Sequence, residues 1–508
     1  MSILRSTNNT LLAILLFCFP VAALAEHDPA RITVPLPEQS ALTTATTRSS
    51  PAPATSALPE GCDVVLLMDS SGSMKRTDPK GYRKGAAKLF ISLLGEDDRI
   101  GVMSFGDTAT RLAPLTLNKK QNRKQLFSAV DRITSKEYST NITDAVQKGF
   151  DELRASLRRE RIIIMMSDGK LALGAAEKDT AALEQLKRLL PKLAQANVKL
   201  YTVAFTEESD SVLLENMAKE TGGFFRYARE DKDVHGMFAS LFEKLKAPDA
   251  VPFEGEAFTI DSEIKEATVL VTKKPGTALS LMDPSGRKNT ASGHPATIEW
   301  YQSSVFDMIT IQEPAPGKWG VKLSTNEGNK VYVLTNLSLK TSFDRSFVNK
   351  GETMIIDAWL EKQGGVVTEQ SILESTTFSV EVTGPDAKPI KLDLTSTATG
   401  TAKPASGKYA TRFTSPVVGE YTMTLLSQGK TFKRTRSVSF NAIEPPQATP
   451  VKPKPAAMPA PALPAQNDED VSWGKVLLLF VIVNLAIALL AGGGYAIWKK
   501  TSKMRGSA

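Results

Sequence analysis

Between Cys62 and about Ala247 the chain alternates between two patterns of apolar and polar positions. Runs such as "VVLLM" and "IIIMM" are apolar at successive positions, as in strands covered on both faces. They predict strands over "CDVVLLMD", "RIGVMSF", "RIIIMMSD", "VKLYTVAF" and "GGFFRYA". Between these, "GYRKGAAKLFISLLG", "KQLFSAVDRI", "TDAVQKGFDELRASL" and "TAALEQLKRLLPKLAQA" carry apolar residues at helical spacing. Strands alternating with helices predict a doubly wound α/β domain over residues 61–247, with helices on both faces of the sheet.

From about Pro248 the period changes to short alternating strands separated by turns. "TVLVTKK", "ALSLMDPSG", "MITIQEPAPGKWGVKL" and "VYVLTNLSL" fit one antiparallel sandwich, residues 248–341. "ETMIIDAWLEKQGG", "TTFSVEVTGPD", "IKLDLTS", "GKYATRFTSPVVGEYTMTLLSQG" and "FKRTRSVSF" fit a second, residues 342–443. Pro284-Ser285 and Pro385-Asp386 mark turns, and each module has an ordinary size for a β-sandwich. Trp319 and Tyr421 are expected as core or corner aromatics.

Two further apolar segments change the picture from a soluble protein to an anchored one. Residues 1–25 have the form of a secretory signal peptide. Arg5 supplies the positive start, Leu11 to Phe19 a short apolar core, and Ala23-Leu24-Ala25 the small-x-small cleavage pattern. Bulky Phe17 before Cys18 argues against lipidation. Near the other end, Val476 to Trp498 is uncharged and, as a helix, about 35 Å long, enough to span a bilayer. Residues 474–498 are thus expected as a transmembrane helix, and Asn484 within it as a tolerated polar residue. Lys499, Lys500, Lys503 and Arg505 make residues 499–508 a basic tail that the positive-inside rule keeps cytoplasmic. Residues 26–60, rich in Pro, Thr, Ser and Ala, are expected as a disordered tether, and residues 444–472 as a Pro/Ala-rich, semi-rigid stalk.

Charge and cysteine content narrow the class. The net charge of +7 over 508 residues is mild and partly carried by the stalk and tail, so it is no nucleic-acid signature. Of two cysteines, Cys18 lies in the signal segment, which leaves Cys62 without an internal disulfide partner. Cys62 is expected as a small apolar group at a strand start, with an intermolecular bridge as the alternative. The short tail, absent disulfides and sandwich modules favour the inner (cytoplasmic) membrane of a Gram-negative bacterium, single-pass, with the folded domains periplasmic.

The candidate chemistry sits where the first strand ends, in "VVLLMDSSGSM". Ligands of an open α/β sheet bind beyond the carboxyl ends of its strands. Asp69, Ser71 and Ser73 lie at that edge. Asp168 ends the apolar strand "RIIIMMSD", and the loop "YSTNITDAV" brings Thr140 to a helix start. Any one of these residues alone would be taken for a helix cap. Together they form an all-oxygen set without His or Cys, which suits a hard cation: Mg²⁺ first, with Mn²⁺ or Ca²⁺ as alternatives. Thr143 lies close enough to compete with Thr140, and Asp144 is either a further acid or the cap of the following helix.

The pattern Asp69-x-Ser71-x-Ser73 followed by Thr140 and Asp168 resembles the metal-ion-dependent adhesion site of the von Willebrand factor type A family. "DRIGVMSF" and "SDGK" match nearby phrases, and the resemblance covers roughly Cys62 to Ala247. It implies a Rossmann-like fold, with Ser71, Ser73 and Thr140 as metal ligands and Asp69 and Asp168 acting directly or through water. The β modules resemble the Ig-like sandwiches that follow such domains in bacterial envelope proteins, and would space and orient the head.

An enzyme is the competing class. His27 falls in the tether, and His235 and His294 fall in different predicted domains, leaving little material for a Ser-His-Asp triad. HExxH, GxSxG and the phosphate-binding GxxxxGK[ST] are absent from the sequence. The expected function is a membrane-anchored, non-enzymatic recognition module that holds a carboxylate of a partner protein through the metal. The alternatives are a scaffold subunit of an envelope complex with a structural metal and, behind it, a metal-assisted hydrolase. Partner identity and oligomeric state stay open.

Overall fold

The computed structural model describes residues 61–445, apart from 169, 206, 208, 229–233, 275, 326–327 and 397–405, together with 474 and 477–485. The expected signal peptide, tether and tail lie outside the described residues. So do residues 446–472 of the expected stalk and 475–476 and 486–498 of the expected membrane helix. Residues 477–485 are helical, and the Asn484 amide donates to the Phe480 carbonyl at 2.8 Å. Among the described residues, no helix is long and apolar enough to cross a membrane.

The first part is a six-stranded mixed sheet. Its strands are β1 (Cys62–Asp69), β2 (Arg99–Phe105), β3 (Thr110–Leu117), β4 (Glu160–Ser167), β5 (Val198–Phe205) and β6 (Phe224–Ala228), in the order β3-β2-β1-β4-β5-β6. All neighbours are parallel except β2 and β3. Among the described residues seven helices accompany it: α1 (Met74–Thr77), α2 (Tyr82–Leu93), α3 (Lys120–Asp131), α4 (Ile142–Leu153), α5 (Ala176–Gln195), α6 (Ser211–Glu220) and α7 (Val234–Lys246).

The unbroken apolar runs have a simple cause. Val64, Leu66 and Met68 of β1 face one way, into a core with Phe90 and Ile91 of α2, Leu126 of α3 and Phe238 of α7. Val65 and Leu67 face the other way, against Val146 of α4, Leu186 of α5 and Leu214 of α6. Both faces of the sheet are covered, so no polar alternation survives in β1 or β4. β3 escapes that pattern because it is an edge strand, mostly accessible and carrying Pro114, which a central strand would not tolerate.

Strand order reverses between β1 and β4, and their carboxyl ends lie side by side, with Met68 paired to Met166. Cys62 begins β1 fully buried, its thiol donating to Asp98 Oδ1 at 3.2 Å. Burial, with the nearby Asp98 carboxylate, pushes the thiol's pKa well up. An intermolecular bridge through Cys62 therefore has no accessible sulfur to form from.

The all-β part contains two hydrophobic cores. One gathers Phe258, Val269, Val271, Ile309 and Trp319, and the other Ile356, Phe378, Met423, Tyr421 and Phe440. Trp319 Nε1 donates to the Ala315 carbonyl at 3.0 Å and the Tyr421 hydroxyl to that of Val417 at 2.9 Å, so both rings are core and corner residues.

The two expected modules share one of their sheets. A ten-stranded sheet runs through Ile298–Gln302, Phe306–Gln312, Ile264–Thr272, Lys330–Thr335, β7 (Asp249–Val251), Lys433–Ile443, Gly419–Gln428, Thr377–Thr383 and Pro389–Asp393, with Phe347–Asn349 beside Lys433–Ile443. β7 is the joint: Val333 pairs with Asp249 on one side and Thr435 with Ala250 on the other. Arg434, fully buried, clamps Asp261 with two nitrogens at 2.6 and 2.9 Å.

The α/β part packs onto both modules. Phe306 and Met308 meet Leu89 of α2 and Ala239 of α7. Asn441 Nδ2 donates to the Phe225 carbonyl at 2.9 Å, and the Tyr227 amide donates to Glu420 Oε1 at 2.6 Å.

Candidate metal-adhesion site

Beyond the ends of β1 and β4 lies a shallow cleft of about 390 Å³, lined by Ser71, Gly72, Ser73, Glu137, Tyr138, Thr140, Asp168, Lys170 and Ala172. Four of the five expected site residues line it, and the fifth, Asp69, supports it from beneath. Asp69 closes β1 with no exposed surface. Its Oδ1 accepts from the Ser71 amide at 2.7 Å and its Oδ2 from the Ser167 hydroxyl at 2.6 Å. The Asp69 carboxylate thereby folds the chain back and turns the Ser71 and Ser73 hydroxyls towards each other, 2.9 Å apart.

Ser73 precedes α1, yet its side chain makes no capping hydrogen bond. Its hydroxyl instead donates to Asp168 Oδ1 at 2.8 Å, and the Thr77 hydroxyl donates to Asp168 Oδ2. Helix capping, the local account of Ser73, therefore does not hold here. Thr140 arrives from the third loop, held by an antiparallel bridge to Ala172 (2.9 and 3.2 Å). Its hydroxyl makes no hydrogen bond to any described residue, and Thr140 lines the cleft.

The neighbouring candidates sort themselves out. Thr143 turns away, its hydroxyl donating to the Ala182 carbonyl at 2.9 Å. Asp144 does not cap α4. That role falls to Asn141, whose Oδ1 accepts from the Asp144 amide at 3.1 Å. The Asp144 carboxylate ties down the Ala109 amide at 2.6 Å and pairs with Lys148 at 2.9 Å.

The electrostatics follow from burial. Asp69 is pushed up to about 6 chiefly by desolvation, partly opposed by its bonds from Ser167 and Ser71, with Asp168 adding a further push. Asp168 is raised for the same first reason, opposed by Thr77, Ser73 and the more distant Arg83. Arg83, itself buried, is held by Asp78 Oδ2 at 2.6 Å and donates to the Thr134 carbonyl (2.9 Å) and the Ser135 hydroxyl (2.8 Å). It thus links the start of α2 to the loop that carries Tyr138.

Two buried carboxylates penalised as anions, beside hydroxyl oxygens with lone pairs to spare, are a donor set that fits a hard divalent cation. Among the described residues no group of three or more His, Cys, Asp or Glu could hold a metal, so the candidate site depends on its hydroxyls. Sequence reasoning missed Thr77, one helical turn beyond Ser73, and Ser167, directly before Asp168. Both act on the acids.

A strand order reversing at β1/β4, with this cleft at the reversal, agrees with a comparison of families. Residues 63–240 match the model described as the von Willebrand factor type A domain. This stretch is a von Willebrand factor type A domain. Such domains mediate protein interaction and adhesion generally, and commonly bind a divalent metal at the adhesion site. Residues 246–336, in the first β module, match the model described as hemicentin galactose-binding domain-like.

Among curated relatives, inter-alpha-trypsin inhibitor heavy chain H3 of Pongo abelii is 25% identical over 193 residues, which is 37% of this chain and 21% of that protein. The human heavy chain H3 matches to the same extent. The chain thus spans about a fifth of the length of the curated relatives it matches. Among solved structures, a von Willebrand factor type A protein from Catenulispora acidiphila is 15% identical, with a TM-score of 0.31, covering 61% of this chain and 64% of the other. The vWF domain of the type V pili tip protein Mfa5 from Porphyromonas gingivalis is 13% identical, with a TM-score of 0.30, covering 37% of this chain and 96% of the other.

Proposed function

We propose that the von Willebrand factor type A domain is a metal-dependent recognition head. It binds a carboxylate of a partner protein through a divalent cation, Mg²⁺ first. The observation that carries this is the convergence of Ser71, Ser73, Thr140 and Asp168 on one cleft, with Asp69 beneath it. Ser71, Ser73 and Thr140 would offer hydroxyl oxygens to the cation. Asp69 and Asp168 would supply the negative charge, directly or through the hydroxyls and water they hold. The cation supplies the attraction for the partner's carboxylate. Asp168 accepts the Ser73 hydroxyl proton, and the Ser71 and Ser73 hydroxyls meet at 2.9 Å, which leaves oxygen lone pairs for the cation.

The head acts as a binder rather than an enzyme. Among the described residues no histidine lines the cleft: His235 packs against Tyr82 and Phe306, and His294 stacks on Trp300 in the first sandwich. The signal-like and membrane-helix-like segments support a single-pass protein of the inner membrane with a periplasmic head. In that setting the β modules and stalk hold the head away from the bilayer.

The test is crosslinking in intact cells, with partner recovery compared in EDTA, after Mg²⁺ is restored, and for Ser71→Ala. The proposal expects recovery to vanish with EDTA, return with Mg²⁺, and fail for the variant. A Ser71→Ala protein that folds normally and recovers its partner fully would refute it. Chelation that lowers the melting temperature while leaving recovery intact would instead mark a scaffold with a structural metal.

A further inference from the structure

Beside the cleft, one side chain has no structural role. Tyr138 lines the site and is 98% exposed, the most exposed of the large hydrophobic residues among those described. An aromatic ring left in water forgoes the burial that would stabilise the fold, and nothing in the intramolecular packing explains its place.

The loop that carries Tyr138 is nevertheless firmly held. The Glu137 amide donates to the Ser70 carbonyl at 3.1 Å, and the Gly72 amide to that of Glu137 at 2.8 Å. The Ser139 amide donates to Asp107 Oδ1 at 2.8 Å, and Thr140 is bridged to Ala172. Gly106 lies so close beneath that a Cβ there would sit 2.1 Å from the Glu137 Cβ. A rigid backbone thus presents a ring with only two side-chain torsions to order, the arrangement in which a tyrosine serves as an anchor at an interface.

The surroundings select what the ring meets. Lys170 lines the same cleft, Lys75 follows Ser73 by two residues, and Lys136 precedes Glu137. All three lysines are exposed and make no ion pair with a described residue. The cleft is lined by Glu137 and Asp168 as well as Lys170, and with a divalent cation bound there the exposed Lys75, Lys136 and Lys170 favour an acidic segment over a cationic one.

We infer that Tyr138 is a specificity-determining contact: the partner is an acidic segment in which a large apolar or aromatic side chain flanks the metal-bound carboxylate and packs on the Tyr138 ring. This inference rests on the metal-adhesion reading of the cleft and adds to it the residue beside the carboxylate.

The test uses the full chain in detergent and an array of short synthetic peptides. Each peptide has a central Asp or Asn, with Leu, Phe, Trp, Ala or Lys beside it, and is probed in Mg²⁺ or EDTA. The wild type is expected to bind Asp peptides in Mg²⁺ and to prefer a large apolar flank over Ala or Lys by roughly tenfold, the size of a modest interface hot spot. Tyr138→Ala, with an unchanged melting temperature, is expected to lose that preference while still requiring Asp and Mg²⁺. Tyr138→Phe should keep it. A Tyr138→Ala protein with the wild-type flank preference overturns the inference and leaves the adhesion reading standing. Binding that ignores EDTA and the Asp-to-Asn change, or no binding at all, overturns that reading and the inference with it.

Discussion

Ser73 shows how far a single residue can be interpreted from its neighbours. It stands directly before a helix, where serine ordinarily caps, and its hydroxyl goes to Asp168, 95 positions away in the chain. The acids and hydroxyls were legible because their types and the strand ends they follow point to one edge. Thr77, Ser167 and Arg83 were not, because their roles depend on which atoms meet in space.

His235 carries the pH prediction. Its ring is buried among Tyr82, Phe306 and the backbone at Gly85, and desolvation lowers its pKa to about 4. The unfolded residue titrates near 6.5. The native state therefore resists a proton that the unfolded state accepts. Its contribution to stability is complete above about pH 6.5 and declines as pH falls towards 4, by about 3 kcal/mol in all. Asp69, raised to about 6, works in the opposite sense over the same range, so the informative quantity is a difference. Denaturant melts of wild type and His235→Gln should converge in relative stability as pH falls from 7 to 4. A constant difference across that range would show that His235 does not titrate on unfolding.

At the scale of elements, the site exists because β1 and β4 are neighbours and the loop over residues 135–140 is pressed onto them. Gly106 allows that approach. Gly106→Ala would set a methyl group against Glu137, forcing the loop outward at a cost of about 1–3 kcal/mol. The expected result is preserved far-ultraviolet circular dichroism with Mg²⁺ affinity weakened roughly tenfold, the effect typical of disturbing residues that support metal ligands. Unchanged affinity would mean that the loop does not position Thr140. The buried strands could be read because both faces of the sheet are covered. β3, on the edge with Pro114 and little burial, offered neither an apolar run nor a clean alternation.

Over the whole molecule, the α/β head and the following all-β region were readable from a change of period. The joint between the β modules was not. β7 has three residues, and its link to the second module is the pairing of Ala250 with Thr435, which leaves no periodic trace. Buried charge reinforces that joint, so Asp261→Asn, which removes the negative charge facing Arg434, should cost about 3–5 kcal/mol in thermal or denaturant unfolding. Glu263→Gln, which breaks the far more exposed pair with Lys362, should cost less than about 1 kcal/mol. Equal effects would show that the Arg434 clamp does not hold the modules together.

Recognition through the cleft requires that Asp69, Ser71, Ser73, Thr140 and Asp168 hold a divalent ion. The direct measurement is a titration of Mn²⁺ into the chelator-stripped chain, followed by electron paramagnetic resonance, for wild type and for a folded Ser73→Ala. The expected result is one bound ion per wild-type chain, displaced by Mg²⁺, and none at that affinity in the variant. A wild type that leaves Mn²⁺ free, or a variant that binds it equally well, would contradict it.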